Sequence, residues 1–425
     1  MRDYGRPVTP TSPKSTTPAP FLHPFARPTL PRHGFQTVVR GEGARVWTAD
    51  GRELIDGMAS LWYCNVGHGR TEVADAVASQ MRTLETYSCF EPFTNEPAES
   101  LAARVAELSP VADARVFLCG SGSDAVDTAM KLARLAHVHR GDPERTLIIS
   151  RERGYHGTNY GGTSAQGIAP NRVGYGPLVP DVVQVPADYG EALSVLIAER
   201  GHEVAAVLTE PVQGAGGVFP PPDGYLRETR EMCDRVGALL IFDEVITGFG
   251  RLGTWFASEH YGVLPDLTTF AKAVTSGYQP LGGVVVGPAV REPLEADESF
   301  LLRHGYTYSG HATVCAAAHA NLDLLRDDEL LARANPIGDR LSAGLKSLAA
   351  DGLLAGVRGT GAVWAIGLHP HQDAAVVRNE MLEAGVITRA IGPDTCTFCP
   401  PLVISDTEID RIVDATATVL TAMEG

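Results

Sequence analysis

Five short aliphatic runs recur through the middle of the chain, at 146–150, 204–209, 238–242, 267–271 and 283–287, each bounded by polar or glycine residues. Runs this short and this apolar are buried on both faces, as strands are in a sheet covered by helices on each side. Longer amphipathic stretches separate them, with helices expected at 189–200 and 226–236. Upstream, 98–108 reads as a helix, 115–119 as a strand and 123–137 as a helix, while 45–55 reads as a hairpin turning at Asp50-Gly51. An Ala-rich helix follows Gly310 and runs to about Arg326. The C-terminal third reads as a separate unit. Its last helix opens on the capping box Ser405-Asp406-Thr407-Glu408, after which Ile409, Ile412, Val413, Leu420 and Met423 fall mainly on one face. The expectation is an α/β protein: a large parallel-sheet domain flanked by a smaller one built from both chain ends. A length of 425 residues suits that division.

The formal net charge of −16 argues against sequence-independent binding to nucleic acid or anionic lipid. No apolar run is long enough to span a membrane, and the N-terminus lacks a signal-peptide pattern. Residues 7–20 are rich in Pro, Ser and Thr, and a disordered tail is expected over 1–20. The seven cysteines are odd in number and scattered, which suits free thiols in a reducing, cytoplasmic setting. Cys396 and Cys399 spell C-x-x-C without a second pair. They sit in a strand-like stretch, so core thiols are expected and no metal site.

Of 35 basic residues only four are lysines: Lys14, Lys131, Lys272 and Lys346. Lys14 is in the tail, and Lys131 and Lys346 fall on amphipathic helices, where a solvated face is the default. Lys272 follows the buried run LTTFA and precedes the glycine-bearing VTSGYQPLGG. Burial favours a neutral amine, the form that attacks a carbonyl carbon. Asp243 closes the run ALLIF, at the strand end where open α/β sheets bind ligands. A carboxylate there suits a protonated ring nitrogen, but equally a metal or a helix cap. Gly120-Ser121-Gly122-Ser123 joins a strand to a helix and makes an anion cradle. The same stretch reads G-x-G-x-x-A as far as Ala125, a weak dinucleotide fingerprint, so a nicotinamide-dependent oxidoreductase stands as an alternative.

DEVITGFGRLG at 243–253, followed by FAKAVTSGYQPLGG, resembles the class III pyridoxal-phosphate aminotransferases of fold type I. GYHG at 154–157, TEPVQGAGG at 209–217 and HGYTYSGHATVCAAA at 304–318 resemble further blocks of that family, in the same order. ADGRELIDGMASLWYCNVGHG at 49–69 is most similar to the branch that passes amino groups from amines and ω-amino acids to pyruvate. The resemblance implies a mostly parallel seven-stranded sheet in a cofactor domain over 71–325, and a smaller α+β domain from 21–70 and 326–425. It implies pyridoxal phosphate as cofactor and a transaminase with an amine donor and a keto acid acceptor. The active sites would be shared across a homodimer, with a tetramer also open.

Carried over residue by residue, Lys272 is the Schiff-base lysine and proton shuttle, and Asp243 keeps the ring nitrogen protonated. Val245 and Tyr155 take the two ring faces. Gly122 and Ser123 bind the phosphate, with Ser121 shaping the turn, and Thr307 reaches the phosphate of a neighbouring subunit. Glu210 and Gln213 sit on the ring-hydroxyl side. Trp62 walls the substrate pocket, and Arg389 clamps the acceptor carboxylate. His156 and Glu244 are expected to be structural. The family's Glu-Ala-Asn after the phosphate turn is here Asp124-Ala125-Val126, and its Ser-Gly-His-Pro is Ser309-Gly310-His311-Ala312. Aminomutases and a decarboxylating relative share the same lysine and aspartate, so they remain alternatives at this stage.

Overall fold

A computed structural model of the chain describes residues 17–188 and 190–423. Most of the expected tail (1–16), with Lys14, lies outside them, as does Tyr189 at the start of one expected helix. Ala19, at the tail's other end, donates its N–H to the Leu30 carbonyl (3.1 Å).

Three sheets organise the described residues. Near the N-terminus, β1 (Val38–Glu42), β2 (Arg45–Thr48) and β3 (Glu53–Asp56) run antiparallel. The β2–β3 hairpin turns through Asp50-Gly51 and pairs Arg45 with Ile55. A seven-stranded sheet follows. It comprises β4 (Arg115–Cys119), β5 (Leu147–Arg151), β6 (Val182–Val185), β7 (Val204–Thr209), β8 (Leu239–Asp243), β9 (Leu267–Phe270) and β10 (Gly282–Val286), ordered β4-β10-β9-β8-β7-β5-β6. Pairs from β9 through β6 are parallel, whereas β10 runs antiparallel to both β9 and β4. Residues 271–281 explain the reversal: they hold one 3-10 turn, too little chain for a crossover helix. The edge strand β6 offers only a short run, Val-Val-Gln-Val, broken by a glutamine and half-buried.

The alternation along the central strands assigns their faces. Ile148, Ala206, Leu208 and Ile241 pack under the helix Gly122–Arg140. Leu147, Ile149, Val207, Leu240 and Phe242 pack on the opposite side against Leu193, Ile197, Tyr225 and Leu226. Residues of β7, β8, β9 and β10 are buried throughout, which is why their sequences carry no polar–apolar alternation.

The C-terminal part contributes β11 (Gly356–Thr360), β12 (Val363–Gly367), β13 (Val386–Ile387), β14 (Arg389–Ile391) and β15 (Thr395–Phe398). Four of these form an antiparallel sheet in the order β11-β12-β15-β14. β13 instead pairs parallel with β3, so the two ends of the chain share a sheet.

The last helix, Asp406–Met423, starts with a reciprocal cap: Glu408 N–H donates to Ser405 Oγ (3.3 Å) and Ser405 N–H donates to Glu408 Oε2 (2.9 Å). Ser405→Ala removes one acceptor of that pair. Urea unfolding should show a loss of about 1 kcal/mol with the slope of the transition unchanged.

Candidate active site

The parallel strands end together at one edge of the seven-stranded sheet. Gly120 follows β4, Arg151 closes β5, Glu210 follows β7, Asp243 closes β8 and Ala271-Lys272 follow β9. The reversed β10 brings Pro280-Leu281 to the same edge. A cavity of about 470 Å³ opens there, and its lining includes Gly120–Ser123, Tyr155, His156, Glu210, Asp243, Val245 and Lys272.

Lys272 is the only lysine of the described residues on this cavity. Lys131 is exposed and meets His304 at 2.9 Å, and Lys346 lies over the Trp364 ring. The Lys272 backbone is in the left-handed region (φ 51°), which a side chain disfavours. Asn321, from the helix Ala312–Asp327, holds that turn by donating to the carbonyls of Ala273 and Val274, each at 2.9 Å. The amine is surrounded by protein and open only to the cavity. Burial pushes its pKa down, while the charges of Asp243 and Glu210 push it back up.

Asp243 is 5% exposed. Its Oδ1 accepts from Thr269 Oγ1 (3.1 Å) and Val245 N–H (3.2 Å), and its Oδ2 lies 2.8 Å from His156 Nδ1. With the proton on Nδ1, the imidazole donates to the carboxylate and leaves Nε2 buried and without a partner among the described residues. His156 thus orders Asp243 itself, a role that the string GYHG does not reveal. Glu210 accepts from Tyr155 N–H and Gly214 N–H, both at 2.9 Å, and burial pushes its carboxyl up to about 7. Glu244 points the other way. It accepts from Ala257 N–H, Ser258 N–H (2.9 Å) and Thr247 Oγ1 (3.1 Å), and caps the helix Ala257–Tyr261.

Ser121 is the N-cap of the helix Gly122–Arg140; its Oγ accepts from Asp124 N–H (3.1 Å) and donates to the Asp124 carboxylate (2.8 Å). The N–H groups of Gly122 and Ser123 open the helix, where no preceding turn supplies an acceptor. A Cβ on Gly122 would come within 3.0 Å of Val245 Cγ1, so glycine lets the turn close against the cavity wall. An amine, a fixed carboxylate and a helix N-terminus therefore face one volume. That donor set fits pyridoxal phosphate, which carries an aldehyde, a basic ring nitrogen and a phosphate.

Other expected residues lie elsewhere. Trp62 is 3% exposed and packs into an apolar cluster with Val212, Ile246 and Leu252; its neighbours Leu61 and Tyr63 line the cavity instead. Gln213 is fully buried off the cavity and donates to the Glu152 carbonyl (2.8 Å). Arg389 opens β14, half-buried, with its charge acting on Tyr155 and Lys272. Its guanidinium has no hydrogen bond or ion pair to another described residue. Thr307 is exposed in the turn before the helix Ala312–Asp327 and does not line this chain's cavity. Cys396 and Cys399 are buried free thiols, pushed by burial up to about 12 and about 11.

Residues 29–420 match the family model described as aminotransferase class-III. The putrescine–pyruvate aminotransferase of Pseudomonas aeruginosa is 36% identical over 414 residues, covering 90% of each chain. The β-alanine–pyruvate aminotransferase of the same organism is 36% identical over 411 residues, 90% of this chain and 91% of its own. Among solved structures, the (S)-enantioselective ω-transaminase of Thermomicrobium roseum superposes with a TM-score of 0.91 at 38% identity, covering 95% of this chain and 96% of that one. An amine transaminase from an uncultivated Pseudomonas species, in its PLP-bound form, has a TM-score of 0.92 at 33% identity, covering 96% and 100%.

The raised Glu210 carboxyl has a consequence for stability. Between the ordinary value of 4.5 and about 7, the folded chain keeps a proton that the unfolded chain has released, so stability falls as pH rises through that window. Glu210→Gln removes this contribution. In cofactor-free protein, the difference in unfolding free energy between pH 5 and pH 8 should change by on the order of a few kcal/mol in the direction of less loss at pH 8. An unchanged difference would show that Glu210 titrates normally.

Proposed function

Because this chain belongs to the class-III aminotransferases, and so transfers amino groups with pyridoxal phosphate, we propose that its donors are amines or ω-amino acids, its acceptor a keto acid such as pyruvate, and its working form a homodimer in the cytoplasm. The convergence of Lys272, Asp243 and the helix N-terminus on one cavity carries the reading of the site. The pyruvate-using relatives support the acceptor. Phe21, Leu22, Phe25, Phe90 and Phe93, each exposing more than half its surface, support a partner subunit. Free thiols support a reducing compartment, and no helix of the described residues is long and apolar enough to cross a membrane.

When bound, the cofactor supplies a protonated pyridine ring that disperses the negative charge left as a proton departs from carbon. Lys272 Nζ would hold the cofactor's aldehyde carbon at rest. Once free, its amine would serve as the base that takes the donor's proton and passes it on. Its lowered pKa keeps a neutral fraction available for that task. Asp243 would hold a proton on the ring nitrogen, and His156 and Thr269 keep its carboxylate aimed. The amides of Gly122 and Ser123 would hold the phosphate, with Ser121 fixing their turn and Thr307 of a second copy closing over it. Val245 and Tyr155 would confine the ring between them, and Glu210 would lie at its hydroxyl side. The unpaired guanidinium of Arg389 receives the acceptor's carboxylate. One cavity serves both half-reactions, so the first product leaves before the acceptor enters.

A panel of amine donors tested against pyruvate, 2-oxoglutarate and glyoxylate should yield alanine, glutamate or glycine only when a keto acid is present. Turnover of a single substrate without any keto acid would instead mark a mutase. Lys272→Ala should abolish turnover and the yellow colour of the purified protein; normal-rate transamination by that variant would remove Lys272 from the mechanism. Arg389→Ala should raise KM for pyruvate by about tenfold or more and change donors that lack a carboxylate much less. Equal losses for both would make Arg389 structural.

A further inference from the structure

The cavity wall formed by Leu61 and Tyr63 rests on a turn that few side chains tolerate. Ala59 (φ 44°), Ser60 (φ 60°, ψ −86°) and Trp62 (φ 69°) all have positive φ, three non-glycine residues within four. Such conformations persist only where the surroundings over-determine them. Backbone bonds help, from Trp62 N–H to the Met58 carbonyl (2.9 Å) and from Tyr63 N–H to the Ala59 carbonyl (3.0 Å), and one buried carboxylate grips the start of the turn. Asp56, the last residue of β3, is 1% exposed. Its Oδ1 accepts from Met58 N–H (3.1 Å), and its Oδ2 accepts from Ser60 N–H (2.7 Å) and lies 2.7 Å from His68 Nε2. His68 is fixed in turn by backbone pairing with Gly43, N–H to carbonyl at 2.8 and 3.0 Å.

The turn sends three consecutive side chains in three directions. Leu61 faces the cavity. Trp62 enters the apolar cluster beneath it. The Tyr63 ring lies on the backbone of Gly277, in the segment that follows Lys272; a Cβ there would be 2.3 Å from the ring, and Gly277 itself has φ +77°. The Tyr63 hydroxyl returns to the Ser60 side chain, closing the turn on itself.

We propose that Asp56 is a positioning residue for donor selection: its carboxylate holds the 58–62 backbone in the strained form that places Leu61 and Tyr63 on the cavity wall. The proposal rests on the transaminase reading and concerns which donors that site admits. A neutral amide of the same shape cannot do the same work. Three donors converge on Asp56, and an asparagine nitrogen would turn a donor toward a donor. Ser60, rather than a glycine, makes the turn dependent on that carboxylate.

The test uses holoenzyme of the wild type, Asp56→Asn, Asp56→Ala, His68→Ala and the double variant Asp56→Asn/Ser60→Gly. Cofactor absorbance is recorded for each, to show that the Lys272 site is intact. Backbone hydrogen exchange over residues 57–66 reads the hold on the turn. The ratio of kcat/KM for a small linear amine to that for a bulky aryl amine reads the wall. Asp56→Asn should speed exchange in that segment and shift the donor ratio by about tenfold, the scale set by a change of one or two methylenes in a pocket. His68→Ala should shift both less. The added Ser60→Gly, which accepts positive φ without strain, should bring the ratio back toward the wild-type value. A general loss of structure would not be rescued in that way. Folded Asp56→Asn with wild-type exchange and a wild-type donor ratio overturns the proposal. If the Asp56 variants fail to fold, His68→Ala carries the same comparison, and wild-type values for both readouts in it overturn the proposal equally. Should the wild type transaminate no donor at all, the transaminase reading falls, while the exchange measurements still decide whether Asp56 holds the turn.

Discussion

Removing an amine and two carboxylates from bulk water costs several kcal/mol per charge unless each finds compensating partners, and the surroundings of Lys272 are arranged around that cost. Asp243 has three donors, from Thr269, the Val245 N–H and His156. Glu210 has two backbone N–H groups and a carboxyl raised to about 7, so it carries less than a full charge near neutrality. Lys272 has the two acids beside it. The adjacency follows from the sheet: β7, β8 and β9 are neighbouring parallel strands, so the residues at their ends fall side by side at roughly the 5 Å spacing of a sheet. Reordering any of these strands would separate the groups that make the burial tolerable.

A second constraint is backbone strain near the same cavity. Lys272 and Ser276 both have positive φ, as do Ala59, Ser60 and Trp62 across from them. The two strained segments are tied to each other. Val66 N–H donates to Ser276 Oγ (3.2 Å), and the Tyr278 hydroxyl donates to the Gly67 carbonyl (2.8 Å) while accepting from Arg70 N–H (2.8 Å). Asn321 pins one segment from the helix side and Asp56 pins the other from β3. The N-terminal strands and the lysine turn therefore behave as one support, although more than two hundred residues of chain lie between them.

Positive charge is spent sparingly inside this acidic protein, and mostly on carbonyls. Arg251, fully buried, donates to the Ala362 and Pro400 carbonyls and to the Asn65 side chain, joining three distant segments without a carboxylate partner. Arg151 donates twice to the Ala187 carbonyl and lies over the Tyr225 ring. Arg389 differs in having no such partner among the described residues, and burial lowers its pKa.

The sequence by itself determined the layered α/β plan, because strands buried on both faces must be short and aliphatic, and helices between them must be amphipathic. It also marked Lys272, Asp243 and the turn at 120–123, since a polar residue directly after such a run lands on the edge of the sheet where ligands bind. Strand β6 escaped because its run, Val-Val-Gln-Val, is four residues long and broken by a glutamine. The pairing of His156 with Asp243, the grip of Asn321 on the lysine turn, and the exchange of Trp62 for Leu61 and Tyr63 on the cavity wall were decided only by the tertiary structure. Periodicity assigns a face only while the backbone is regular. Where φ turns positive, as at Ala59, Ser60 and Trp62, a side chain's direction depends on what holds the turn, and the bonds from Met58 and Ser60 N–H to the buried Asp56 carboxylate are part of that hold.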